Sequence, residues 1–168
     1  MNLFRSVASL MTGNGWLCIE SESGSITRAW FNDSPVSEGD PDNVLITALQ
    51  QCQEYFSGNR KVFELPLQPA GTAFQQKVWK ALTEVKFGHT YSYKAFSALI
   101  ADAKSIRAVA SAIGANPVAV MIPCHRIVGS QGELTGYAWG LHRKEWLLHL
   151  EQGAFIPSLF GEENEQHG

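Results

Sequence analysis

The chain has 168 residues, of which 45% are apolar and 17% charged, with a formal net charge of −3. That is enough length for one domain or two small ones with a real core, and the apolar fraction is that of an ordinary soluble globular protein, so disorder is not the default reading. No segment approaches the ~20 apolar residues of a membrane span, and residues 1–13 are interrupted by Arg5 before any signal-like hydrophobic run builds up, which points to the cytoplasm. Cys18, Cys52 and Cys124 are widely spaced, odd in number and without a CxxC pair. This argues against a disulfide framework and a four-cysteine zinc site, and fits a reducing compartment. The charge is uneven: residues 1–60 carry a net −4, residues 61–151 a net +4 and residues 152–168 a net −3. A basic middle is a modest signal for phosphate contact, although a solvated surface accounts for most single lysines.

Along the chain, residues 16–20 and 26–31 read as short strands joined by the polar stretch 21–25. Asp40 offers an N-cap with Pro41 at the first helical position, and Val44, Leu45, Ala48, Leu49, Cys52, Tyr55 and Phe56 recur at helical spacing up to Gly58. Cys52 on that stripe and Cys18 in a strand read as packing residues. Residues 59–71, with Pro66, Pro69 and Gly71, read as a connection. Thr72 and Gln75 form a capping-box pattern for a helix whose apolar face is Phe74, Val78, Ala81, Leu82 and Val85, ending at Gly88. A helix at 95–100, a break at Ala101-Asp102-Ala103 and a second helix at 105–114 make a helix-turn-helix reading.

On that second helix Ile106, Val109 and Ile113 are expected to face the core, leaving Arg107, Ala108, Ser111, Ala112 and Ala115 outside. An outer face almost bare of long side chains lets the backbone approach another surface closely. An alanine-rich helix packed under a second layer reads equally well. Further on come Pro123-Cys124-His125-Arg126, Thr135-Gly136-Tyr137 and a helix-like run from Arg143 to Glu151. They supply a thiol, an imidazole and a carboxylate. A free thiol, with a pKa of about 8.5, needs a base and a group that orients the base to become a nucleophile near neutral pH. Glu151 falls at the C-terminal end of its helix, where the macrodipole disfavours a carboxylate by a few tenths of a kcal/mol to about one. That placement suggests another use for it.

With Asn116-Pro117 and Arg107-Ala108-Val109 upstream, these motifs in this order resemble the O6-alkylguanine-DNA alkyltransferases, the methylated-DNA–protein-cysteine methyltransferases, over roughly residues 70 to 152. The resemblance implies an α+β protein: a small N-terminal α/β part at 1–68 shaped as a ribonuclease-H-like roll, and a mainly helical alkyltransferase domain at 69–155 with a helix-turn-helix. An acidic tail at 156–168 follows. It further implies stoichiometric transfer of an alkyl group from O6-alkylguanine, and from O4-alkylthymine, to Cys124 after the base is flipped out of the duplex. Double-stranded DNA is then the partner, met in the minor groove by a monomer. No metal or organic cofactor and no membrane is implied.

Residue by residue, the resemblance gives Cys124 as acceptor, His125 as base through a water, Glu151 as the group that polarises His125, Tyr93 as donor to the guanine ring, and Asn116 as the amide that fixes the cysteine turn. Arg107 matches an arginine that fills the place of the flipped base, on a helix whose Ala108, Ser111 and Ala112 permit the groove fit. Pro123, Ile127, Tyr137, Ala138 and Trp139 are expected around the base, and Arg126 among the DNA and substrate contacts. Trp139 departs from the glycine of many relatives, and only a subset has tryptophan there. Two other readings compete. One is a helix-turn-helix regulator or alkyl-damage sensor without transfer, against which the presence of Cys124 speaks. The other is a cysteine hydrolase, against which the adjacency of Cys124 and His125 speaks.

Overall fold

Residues 4–100 and 105–153 are described in the computed structural model, and they divide into two units. One is the chain up to Ala70 together with Pro117–Ala119, the other Gly71–Asn116 and the chain from Val120 onward. The expected break at Ala101-Asp102-Ala103 and the acidic tail at 156–168 lie outside the described residues.

In the first unit, strands β1 (Arg5–Thr12), β2 (Gly15–Glu22) and β3 (Ser25–Asn32) form an antiparallel meander in that order. The sequence points to neither β1 nor the full length of the second strand. The polar stretch read as a five-residue connection is mostly strand, and the turn itself is Ser23-Gly24, with φ of 52° and 83°. Two positive φ values in a two-residue loop suit the twist of a hairpin. Helix α1 (Asn43–Phe56) covers the sheet with Leu45, Ala48, Cys52 and Tyr55 buried. Its N-cap is Asp42, not Asp40, because the Asp42 carboxylate accepts from the Leu45 amide at 2.8 Å. Cys18 and Cys52 are both fully buried, and burial pushes the Cys52 thiol up to about 12. On the edge of β3, Ala29 exchanges backbone hydrogen bonds with Pro117 and Ala119 at 3.0 and 2.9 Å.

In the second unit, helix α2 (Ala73–Leu82) starts with the Thr72/Gln75 capping box the sequence predicts. It stops well before Gly88, and its buried face is Val78, Trp79 and Leu82. A short parallel ladder joins β4 (Tyr91–Ser92) to β5 (Ile127–Val128). Helices α3 (Tyr93–Ser97), α4 (Ile106–Gly114) and α5 (Leu141–Gln152) complete it, with Ser92 and Ser105 capping α3 and α4 through bonds of 3.0 Å to Ala95 N and Ala108 N.

The buried stripe of α4 differs from the expected one. Val109, Ala112 and Ile113 are buried, whereas Ile106, at the first helical position, is 46% exposed. Trp79 is the cause. Its indole Nε1 donates to the Ala112 carbonyl at 2.8 Å and brings α2 against that side of α4, so Ala112, read as an outward small residue, is only 3% exposed. Gly71 lies so close to the Trp79 ring that a Cβ there would come within 2.4 Å of it.

Candidate active site

The turn that carries Cys124 begins at Asn116, just past α4. The Asn116 amide donates through Nδ2 to the Ile122 carbonyl at 2.9 Å and also hydrogen-bonds Cys124, which pulls that thiol pKa down. Between them Val120 has φ +71° and is buried. A β-branched residue there is an outlier, with a cost on the order of 1–3 kcal/mol, and persists only where surrounding contacts enforce it. Pro123 then leads into a 3₁₀ turn, Cys124–Arg126. At three residues per turn successive side chains diverge by about 120°, so the neighbours Cys124, His125 and Arg126 serve different surroundings.

His125 and Arg126 meet Glu151 near the end of α5. The Glu151 Oε2 lies 2.7 Å from His125 Nε2, and Arg126 donates from Nε to Oε1 at 2.8 Å and from Nη2 to Oε2 at 2.9 Å. Arg126 Nη1 donates to the Val85 carbonyl at 2.6 Å, and its guanidinium lies 5.8 Å from the Phe87 ring centroid. All three residues are buried. Burial by itself raises the Glu151 pKa, but His125 and then Arg126 outweigh it and hold the carboxyl far below the ordinary range. Glu151 is therefore a carboxylate and accepts from His125 Nε2–H. In the neutral imidazole this leaves the lone pair on Nδ1, which is buried and hydrogen-bonded to no described group.

Cys124 opens on a cleft of about 540 Å³, lined also by Tyr93, by Ala110, Ile113 and Gly114 of α4, and by residues 135–139. A larger depression of about 1200 Å³ in the first unit is lined by residues such as Arg5, Glu38, Asp40 and Asp42, without a thiol or an imidazole. The Cys124 thiol is 6% exposed. Burial pushes it up to about 11 against the pull of Asn116, Lys144 and its own backbone, and burial also lowers His125. At rest the pair is a neutral thiol and a neutral imidazole.

Tyr93 Oη donates to the Thr135 carbonyl at 3.2 Å. Tyr137 and Trp139 pack edge to face with centroids 5.2 Å apart. Ala138 is exposed on the same loop.

Among the other residues singled out in the sequence, Arg107 and Ser111 are exposed and Ala108 is half-buried. Pro123 and Ile127 are buried and are not among the residues lining the cleft. Arg126, read as a contact to DNA or substrate, is 5% exposed with its guanidinium turned inward to Glu151 and Val85. Sequence reasoning passed over Gly114 and Lys144. A signal for Lys144 exists: it stands at i relative to Leu147, Leu148 and Glu151 at i+3, i+4 and i+7, all buried, so the helical period puts a lysine on the buried stripe.

The buried carboxylate sets the acid response. Both Glu151 and His125 have folded pKa values below their unfolded ones, so the unfolded chain takes up protons first on acidification. The His125 contribution is lost as pH falls through about 6.5 and that of Glu151 below about 4.3. The melting temperature is expected to fall from pH 7 to pH 4. Glu151→Gln, which leaves the Arg126 charge without its partner, is expected to destabilise by about 3–5 kcal/mol at pH 7 and to flatten the acid limb. Thermal unfolding across that pH range checks both.

A family model described as "6-O-methylguanine DNA methyltransferase, DNA binding domain" matches residues 73–153. The chain is 50% identical over 105 residues to the methylated-DNA–protein-cysteine methyltransferase of Methanosarcina barkeri, a match covering 62% of this chain and 66% of that protein. The shared region thus spans just under two thirds of that relative. It is 39% identical over 148 residues to the constitutive methylated-DNA–protein-cysteine methyltransferase of Bacillus subtilis, covering 82% of this chain and 90% of that one. The crystal structure of Mycobacterium tuberculosis OGT in complex with DNA is similar with a TM-score of 0.78 at 34% identity, over 92% of this chain and 97% of that one. With these likenesses spread over both units, the chain belongs to the methylated-DNA–protein-cysteine methyltransferase family.

Proposed function

We propose that this protein repairs alkylated DNA by moving an alkyl group from guanine O6 to the sulfur of Cys124, once per molecule. The observation that carries this reading is a thiol at the wall of a cleft, with a buried carboxylate and imidazole of fixed tautomer beside it. Consecutive residues do not present sulfur and ring nitrogen to each other directly, so the thiol proton passes to His125 Nδ1 through a water. The sulfur then attacks the alkyl carbon, the S–C bond forms as the C–O6 bond breaks, and guanine leaves with a proton in place of its alkyl group. Tyr93 donates to the ring nitrogen N3 as negative charge grows on the base. The product thioether has no ready leaving path, so Cys124 is spent. O4-alkylthymine is a second substrate of the same chemistry.

A base inside a duplex cannot reach the cleft and must be flipped, at a few kcal/mol of unstacking. Helices α3 and α4 act as a helix-turn-helix whose second helix enters the minor groove, with Arg107 taking the place of the flipped base. The exposed Arg107 and Ser111 and the half-buried Ala108 support that docking. Arg126 and Ala112 drop out of the DNA-facing set, since both are buried. Residues 1–68 form a ribonuclease-H-like roll that accompanies the alkyltransferase domain at 69–155, and the protein acts as a cytoplasmic monomer on double-stranded DNA.

Incubation with a duplex containing O6-methylguanine is expected to add one methyl mass, on Cys124, with no further transfer from excess substrate. Cys124→Ser is expected to bind DNA and transfer nothing. Mass spectrometry of the intact protein and its peptides checks this, and methyl on Cys18 or Cys52, or repeated turnover, would sink it. Arg107→Ala is expected to slow repair in a duplex far more than reaction with free alkylguanine, because only the duplex needs the flipped state filled. Equal losses in single-turnover assays on the two substrates would assign Arg107 to the fold instead.

Trp139 lines the cleft with its indole edge to face with Tyr137, so a bulky O6 substituent is held off the line of attack. A misplacement of about 1 Å costs on the order of 100-fold in rate. Trp139→Gly is therefore expected to speed benzyl transfer and change methyl transfer little. If benzyl transfer instead falls, the indole stacks on the aryl group and the steric account fails.

A further inference from the structure

Helix α4 ends without a glycine turn of its own. Ala115, at φ −87°, caps it, and no residue from there to Pro117 takes the left-handed conformation that closes many helices. Pro117 bars continuation, because it has no N–H and disfavours a helical residue before it. The last carbonyls of the helix therefore need donors from elsewhere. The Ala115 amide is shared between the carbonyls of Ser111 at 3.1 Å and Ala112 at 3.2 Å, and the Asn116 amide falls one carbonyl short, on Ile113 at 3.2 Å. In a continuing helix Asn116 would donate to Ala112. The Trp79 indole Nε1 takes that place at 2.8 Å.

Trp79 is buried, so its N–H costs stability unless it finds an acceptor. A phenylalanine would fill most of the same space without that requirement, so packing does not explain the indole. The far side of the ring has room only because residue 71 is glycine, where a Cβ would collide with the six-membered ring. Beyond the capped Ala112 carbonyl the chain reaches Asn116, whose Nδ2 donates to the Ile122 carbonyl at 2.9 Å. The same oxygen accepts from the Cys124 amide at 2.8 Å.

We infer that Trp79 is a positioning residue for transfer to Cys124: by capping α4 at Ala112 it fixes where Asn116 leaves the helix, and Asn116 fixes the turn that carries the sulfur. Trp79 is not among the residues that line the cleft, so it acts only through Asn116. The other end of α4 is held separately by the Ser105 hydroxyl, which accepts from the Ala108 amide at 3.0 Å. Arg107 therefore keeps its place when the Ala112 end is loosened.

The inference rests on the reading of Cys124 as the acceptor, so it is tested both with and without DNA. Single-turnover methyl transfer from an O6-methylguanine duplex is measured against duplex concentration for the native protein, Trp79→Phe, Asn116→Ala and the double variant. Carbamidomethylation of Cys124 by iodoacetamide at pH 7 is followed on the same four proteins, with the modified cysteine identified by peptide mass spectrometry. Trp79→Phe is expected to lower the limiting transfer rate about tenfold, a smaller displacement of the sulfur than the ~1 Å that costs on the order of 100-fold. The half-saturating duplex concentration is expected to stay within about twofold, and carbamidomethylation to slow. The double variant is expected to be no slower than Asn116→Ala, because an effect carried through Asn116 is already absent there. Gly71→Ala, which pushes the ring off Ala112 without altering Trp79, is expected to show the same loss of limiting rate and decides the matter if Trp79→Phe does not fold. Losses that multiply in the double variant, a native limiting rate in folded Trp79→Phe or Gly71→Ala, or a loss confined to the half-saturating concentration overturns the inference. If the native protein transfers no methyl to Cys124, the repair reading fails and carbamidomethylation decides this one: a slower Trp79→Phe supports it, and a rate at or above native overturns it.

Discussion

The site depends on one buried carboxylate. Glu151 sits near the end of α5, where neither the helix dipole nor the surrounding apolar side chains favour a negative charge. It is tolerable because the two-pronged contact from Arg126 and the bond from His125 satisfy both of its oxygens. That one group ties the 3₁₀ turn to α5, and Arg126 carries the link on to Val85 beyond α2. It also decides chemistry: an ionised Glu151 can only accept, so His125 must donate from Nε2 and keep Nδ1 basic. Arginine serves here and lysine would not, because only a planar fork addresses both oxygens while a third nitrogen reaches a backbone carbonyl.

The short 3₁₀ turn explains how three consecutive residues share the work. In a strand, Cys124 and Arg126 would point to one face and His125 to the other. In the tight turn the three diverge, and the sulfur opens on the cleft while the imidazole and guanidinium reach the carboxylate. Asn116 holds that geometry against the positive φ of Val120. The strain sits close to Cys124, within a segment buried from Val118 to Gly129.

The thiol and imidazole of the turn are neutral, and the carboxylate beside them is charged. Burial keeps the thiol protonated and the imidazole unprotonated. Beside that pair Glu151 and Arg126 compensate each other, and Lys144 adds a positive charge that acts on both the thiol and the imidazole.

Much of this was legible from local signals. The Thr72/Gln75 capping box and the apolar period of α1 follow from spacing, because caps and amphipathic stripes are properties of a few neighbouring residues, while the grouping of Cys124, His125 and Glu151 came from the family resemblance. The start of α1 slipped from Asp40 to Asp42 because both are good caps and only the folded chain selects between them. Strand β1 was missed because its stability comes from pairing with β2 and not from its own pattern.

What tertiary structure decided is which side chains lose water. Ala112 and Ile106 exchange places because Trp79 reaches across from α2, a contact between residues 33 apart that no local pattern encodes. Arg126 turns inward because a carboxylate 25 residues away is buried without another cationic fork. Lys144 lies on a stripe the helical period exposes to view, but its bonds to the Thr135 and Gly136 carbonyls depend on the loop packed against it. The sequence by itself determined which thiol, imidazole and carboxylate are available, since their chemistry belongs to residue type. Their protonation states and partners were left to the fold, because burial and charge pairing depend on everything packed around a group.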